Sequence, residues 1–262
     1  MTFETIRLDF DPRGVATLTL TRPGKHNAMN AAMIAELTRA AAELSARQGL
    51  RAVVLAAEGR SFCAGGDLGW MREQMQADRP TRMAEARRLA DMLGALDALA
   101  LPLIARVQGQ AFGGGIGLIS VADVAIVARP GRFALTETRL GLIPATIGPY
   151  VLARLGPART REVFATGRAF DADGAVRLGL AARAVAADAL DDAVEAEIAP
   201  VLSAAPGAVA AAKGLLRRLS PPVTADTVEA SVVALADQWE TEEAAAGIAA
   251  FFEGRVPPWA PE

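Results

Sequence analysis

Two glycine clusters place backbone groups where they can do chemistry. They are SFCAGGDL (61–68) and AFGGGIGL (111–118), in a chain that otherwise builds its helices largely from alanine. Glycine inside a helix costs about 0.5–1 kcal/mol relative to alanine, so Gly113, Gly114, Gly115 and Gly117 need a reason. Either they allow close helix–strand packing, or something must approach the backbone. Each cluster follows an apolar segment, RAVVLAAE (51–58) or PLIARVQG (102–109), that reads as a buried strand. Ligands of parallel sheets bind off the carboxyl ends of strands, and a helix's first turn offers N–H groups without partners. One donor from each loop can hold an oxygen that gains negative charge. Losing one such donor costs about 2.7–4 kcal/mol in a studied protease. Composition alone leaves both readings open.

The elements that must position these loops are legible as patterns. Alternation in 4–11 and 15–22 predicts two strands joined by a turn at Pro12–Gly14. Asn30 caps a helix beginning NAAMIAEL. Residues 59–70 read as a loop, followed by an amphipathic helix over about 81–98 with its Arg and Glu on one side. Segments 123–129 and 132–135 read as strands. From Gly148 the pattern turns helical, over 148–156, 158–166, 172–178 and 187–203. The tail predicts two or three helices around Pro221–Pro222, and WETEE (239–243) reads as a solvated helix face. The expected fold is α/β, with a core over 1–200 and a helical C-terminal region over 201–262.

Composition narrows the function. Of 262 residues, 52% are hydrophobic, enough to bury a large core. A net charge of −3 gives no basic surface for nucleic acid. Cys63 is the single cysteine and His26 the single histidine, which excludes an intrachain disulfide and disfavours metal sites and histidine triads. No apolar run approaches a membrane span, and the N-terminus resembles neither a signal nor a transit peptide. A cytoplasmic protein without a membrane partner is expected. Leu118 breaks a G-x-G-x-x-G frame, His26 follows Gly24-Lys25 where a Walker A needs Ser or Thr, and no G-x-S-x-G elbow occurs.

Four stretches in order, TRPGKHNAMN (21–30), SFCAGGDL (61–68), VQGQAFGGGIGL (107–118) and FALTETRLGLIP (133–144), resemble the crotonase, or enoyl-CoA hydratase/isomerase, superfamily. The resemblance implies a spiral of strand–strand–helix units with a helical C-terminal trimerisation region. It implies that the amides of Gly66 and Gly114 bind the thioester oxygen of an acyl-CoA, and that Glu137 is the general acid/base. Ala64, Gly65, Leu68, Trp70 and Gly113 would surround the acyl group, and Lys25, His26 and Ala28 would touch CoA. Asp67 reads more simply as the cap of a helix starting at Leu68. Phe251 matches the family's terminal aromatic, while Gly254 occupies its basic position beside Arg255. No metal and no cofactor beyond CoA as part of the substrate is implied. The expected assembly is a homotrimer or a dimer of trimers.

One departure stands out. The family's hydratases generally carry two glutamates, and the first position here is Gly117. The wording of 109–120 and 134–151 looks most like the branch acting on methylglutaconyl-CoA and isohexenylglutaconyl-CoA, in leucine or terpene degradation. Arg139 is then a candidate partner for the substrate's own carboxylate. A lone glutamate also suits an isomerase, and an acyl-CoA-binding protein without chemistry is a third reading.

Overall fold

The computed structural model describes residues 2–220 and 223–260. The two N-terminal strands, β1 (Ile6–Phe10) and β2 (Val15–Leu20), form an antiparallel hairpin. Asn30 then caps α1 (Ala31–Ala46) by accepting from the Met33 N–H. The apolar segment becomes β3 (Ala52–Ala57), buried throughout. Its alternation explains why: Val53 and Leu55 face the main core, while Val54 and Ala56 face a second cluster.

The stretch expected as loop holds β4 (Ser61–Cys63) and then α2 (Leu68–Gln76), started by Asp67 as expected. After α3 (Arg79–Asp97) come β5 (Leu103–Val107), β6 (Gln110–Phe112), α4 (Gly114–Ser120), β7 (Val124–Ala128) and β8 (Arg132–Ala134). Helix α5 (Gly148–Phe164) breaks at Gly156, whose φ is +71°, just before Pro157, so the two expected helices adjoin. β9 (Phe170–Asp171), α6 (Ala172–Leu178), β10 (Arg183–Val185) and α7 (Leu190–Ser203) follow. The purely helical expectation after Gly148 is therefore corrected. β10 joins the main sheet parallel to β7, and β9 pairs with β8, but two or three residues are too short to show a period.

The strands form a six-stranded sheet, β1-β2-β3-β5-β7-β10, and a four-stranded sheet, β4-β6-β8-β9. In both, consecutive strand–strand–helix turns pair in parallel around the core. Helix α7 covers the outer face of the larger sheet with Leu190, Val194 and Ile198. The main core fills the other face with residues of α1, α3, α4 and both sheets. Gln108 ties successive turns together, its Nε2 donating to the carbonyls of Ala57, Gly59 and Ser61.

Three helices, α8 (Pro206–Leu219), α9 (Ala225–Trp239) and α10 (Glu242–Phe252), complete the tail. Pro221–Pro222 lie outside the described residues. Residues 239–243 are the junction of α9 and α10 rather than a helix face, with Thr241 capping α10. Among the described residues no single helix is long and apolar enough to cross a membrane.

Candidate active site

Both glycine loops open on one cavity of about 470 Å³. The first loop is set by a short parallel pairing of residues 26–29 with 64–67. Ala64 donates to the His26 carbonyl (3.0 Å), Met29 to that of Gly65 (2.7 Å) and Asp67 to that of Met29 (2.8 Å). Met29 thus bonds the two neighbours of Gly66, and a strand's alternation turns Gly66's own N–H the other way. That N–H has no protein acceptor among the described residues. Trp70 and Met71 pack on the same glycine, 3.7 and 3.5 Å from where a Cβ would lie.

The second loop presents Gly114 as the first residue of α4, so its N–H has no intrahelical acceptor. The loops touch: a Cβ on Gly65 would lie 3.2 Å from the Phe112 carbonyl oxygen. Gly65 (φ +92°) and Gly113 (φ +47°) hold backbone conformations that favour glycine. Both readings of the glycine run therefore apply, and at Gly114 they apply together, since a Cβ there would collide with the Met29 side chain. Gly115 serves packing, since a Cβ there would come within 2.5 Å of the Cys63 carbonyl oxygen. Gly114 leaves an amide free at the cavity wall.

Glu137 begins a 3-10 turn, Glu137–Leu140, after β8. The residue is half-buried, but its Oε2 is fully buried without a hydrogen-bond partner. Its Oε1 sits against Gly113, 2.8 Å from where a Cβ would be. Burial pushes the carboxyl pKa up from 4.5 to about 7. The tail clamps this turn. Gln238 donates to the Gly141 carbonyl at 2.7 Å, and Gly247 lets α10 press on the Leu140 carbonyl, where a Cβ would lie 2.5 Å away. Leu142, Ala244 and Ile248 bury together beneath it.

Gly113→Ala therefore drives a methyl into the carboxylate and forces an alanine into a positive-φ conformation (φ +47°, ψ −114°) outside the left-handed helical well, at a cost on the order of 1–3 kcal/mol. A misplacement of about 1 Å can cost on the order of 10²-fold in rate, so kcat of Gly113→Ala should fall by about that factor. Steady-state kinetics with an enoyl-CoA ester and a melting curve check this; an unchanged kcat would mean that Glu137 is not held where the reaction occurs.

Gly117, where the first glutamate would be, is not an open hole. A Cβ there would lie 2.7 Å from Cγ2 of Ile147 and 3.4 Å from Cδ1 of Leu93. Apolar side chains occupy the volume, and Ile147 itself lines the cavity.

The structure brings Ala64, Gly65, Gly66, Leu68, Trp70, Gly113, Gly114, Glu137, Arg139 and Phe251 to the cavity wall. Lys25, His26, Ala28 and Asp67 do not line it. Lys25 is exposed. His26 Nε2 faces Arg60 Nη2 at 3.2 Å, and since arginine only donates, Nδ1 carries the proton and donates to Ser61 Oγ at 2.9 Å. Asp67 caps α2 and pairs with Arg22 at 2.9 Å. Burial acts to raise its pKa, but the Arg22 and backbone hydrogen bonds outweigh that and hold it low. Arg22 also donates to the Ala28 carbonyl, and Asn27 donates to the carbonyls of Glu58 and Ser61. Neither was expected to order the loops.

Sequence reasoning also missed cavity residues on α3. Arg82, Glu85, Ala86 and Leu89 line one wall, so the helix does not keep all its Arg and Glu on one side. Glu85 is buried, accepting from Trp70 Nε1 at 3.3 Å and pairing with Arg88. Helical spacing at 82, 85, 86, 89 and 93 was the available signal, masked by the helix's charge.

Comparison with known proteins agrees with this geometry. Residues 11–262 match the enoyl-CoA hydratase/isomerase family model. A probable enoyl-CoA hydratase of Mycobacterium tuberculosis is 33% identical over 261 residues, 98% of each chain. A probable enoyl-CoA hydratase of Rhodobacter capsulatus is 38% identical over 187 residues, covering 71% of this chain and 70% of that one. The crystal structure of an enoyl-CoA hydratase from Mycobacterium smegmatis superposes with a TM-score of 0.80 at 36% identity, covering 98% and 99% of the two chains. With two free glycine amides and a buried glutamate on one cavity, carried by this fold, the chain belongs to the enoyl-CoA hydratase/isomerase family.

Proposed function

We propose that the protein is an enoyl-CoA hydratase that adds water across the α,β double bond of a branched, carboxylated, glutaconyl-type acyl-CoA. The observation that carries the reading is Glu137: a carboxyl group with a pKa near 7, buried on a cavity that two unpartnered amides share. As the carboxylate, Glu137 takes a proton from water while the water oxygen bonds to the β-carbon. The double-bond electrons move onto the thioester oxygen, and the N–H groups of Gly66 and Gly114 hold the resulting enolate. Glu137 then returns a proton to the α-carbon, so one carboxyl group serves as base and then acid. Arg82 supports the carboxylated substrate, since it lines the cavity and pairs with no carboxylate among the described residues.

The packed Gly117 favours a second reading, an isomerase. With no second carboxyl group, Glu137 can take a proton from C2 of a 3-enoyl ester and return it to C4. Mass spectrometry of crotonyl, 3-methylglutaconyl, isohexenylglutaconyl and 3-enoyl CoA esters after incubation separates the two. A product heavier by one water, greatest for the glutaconyl esters, supports the hydratase. Unchanged mass with a shifted retention time for the 3-enoyl ester means isomerisation, and no reaction leaves an acyl-CoA binder. We also infer a homotrimer or dimer of trimers. Helix α8 has no buried residue and exposes Leu215, Leu216 and Leu219, an apolar face that assembly would cover.

A further inference from the structure

The cavity wall on α3 runs from Leu89 through Ala86 and Glu85 to Arg82. At 1.5 Å per residue this stripe is about 10 Å long, and its Arg82 end holds polar groups that the hydration chemistry does not use. Gln74 is only 6% exposed and lines the cavity, yet its carboxamide makes no hydrogen bond to a described residue. Its amide atoms are open to the cavity rather than sealed inside the protein, so a group bound there can hydrogen-bond to them.

Arg82 stands beside it. Its Nε donates to the Gln74 carbonyl at 2.8 Å and its Nη2 to the Met75 carbonyl at 3.0 Å. Its guanidinium carbon lies 5.5 Å from the centre of the Trp239 ring. These contacts fix the guanidinium plane and leave Nη1 without a partner among the described residues. The neighbouring carboxylate, Glu85, is occupied by Trp70 and Arg88. What remains is an oriented cation and an uncommitted amide, a combination suited to a carboxylate. Arg139, by contrast, is exposed, with its stem packed against Gly167.

We propose that Arg82 and Gln74 form the subsite for a carboxylate at the end of the acyl chain, and that Arg82 rather than Arg139 selects carboxylated substrates. The proposal deepens the hydratase reading and rests on it for the orientation of the acyl group. Binding of saturated esters tests it apart from turnover. Calorimetry would compare 3-methylglutaryl-CoA with isovaleryl-CoA, which keeps the branched skeleton but lacks the carboxylate.

Wild type should prefer the carboxylated ester by about tenfold to a hundredfold, the range of a charge-assisted hydrogen bond. Arg82→Met should erase that preference, Arg82→Lys should keep part of it and Gln74→Met should weaken it. Arg139→Gln should leave it in place. Because the ratio compares two ligands on one protein, partial misfolding of a variant does not mimic the effect. An absent preference in wild type, a preference surviving in Arg82→Met, or its loss only in Arg139→Gln would overturn the proposal. Failure of the hydratase reading shows itself separately, as unsaturated esters that gain no water while the binding preference persists.

Discussion

Glu137→Gln should lower kcat by about 10²–10⁴-fold, the range of a positioned acid/base, while acyl-CoA still binds. Glutamine keeps the shape of the side chain against Gly113 but cannot move the proton, so the loss should fall on kcat rather than KM. Full turnover in this variant would end the assignment.

The same group sets two opposite pH trends. The first step needs the carboxylate, so kcat/KM should rise with pH and level off above about 7. Stability should move the other way. The folded-state pKa lies above the ordinary 4.5, so between those values the native state holds more of the proton than the unfolded chain. Glu137's contribution to stability is therefore fully present below about 4.5 and is lost as pH rises through about 7. Glu137→Gln should flatten both profiles, which pH-dependent kinetics and melts can read together.

Gly117→Glu should fail to restore a two-carboxylate site. The new Cβ would collide with Ile147, and the carboxylate would be forced among Ile147 and Leu93. Overpacking costs about 1–3 kcal/mol, and an unpaired buried carboxylate adds to it. A fall in Tm on the order of 10 °C is expected, with kcat no higher than in wild type. Adding Ile147→Ala should recover part of the Tm, a coupling that a double-mutant cycle measures. A Gly117→Glu variant that melts with wild type and turns over faster would show that the volume at Gly117 is available after all.

Much of this molecule was legible in one dimension. Apolar runs became β3, β5 and β7 because a strand buried on both faces needs no polar alternation. Asn30 and Asp67 start helices because their side chains accept orphan N–H groups. The glycine clusters marked the two loops because only glycine tolerates those φ angles and that closeness. The strands β4, β6, β9 and β10 were not legible, since two or three residues carry no periodicity and depend on partners far along the chain.

The same limit applies to the site. The sequence by itself determined which residue types stand on the loops: two glycine amides, a glutamate, and no carboxylate at 117. Only the tertiary structure decided that Ile147 fills the space at Gly117, that Arg82 and Glu85 turn inward, and that α9 and α10 close over Glu137 from about a hundred residues away. The reason is physical. Hydrogen-bonding groups and φ preferences belong to a residue, but desolvation, proton affinity and filled volume belong to its neighbours, and long-range packing chooses those.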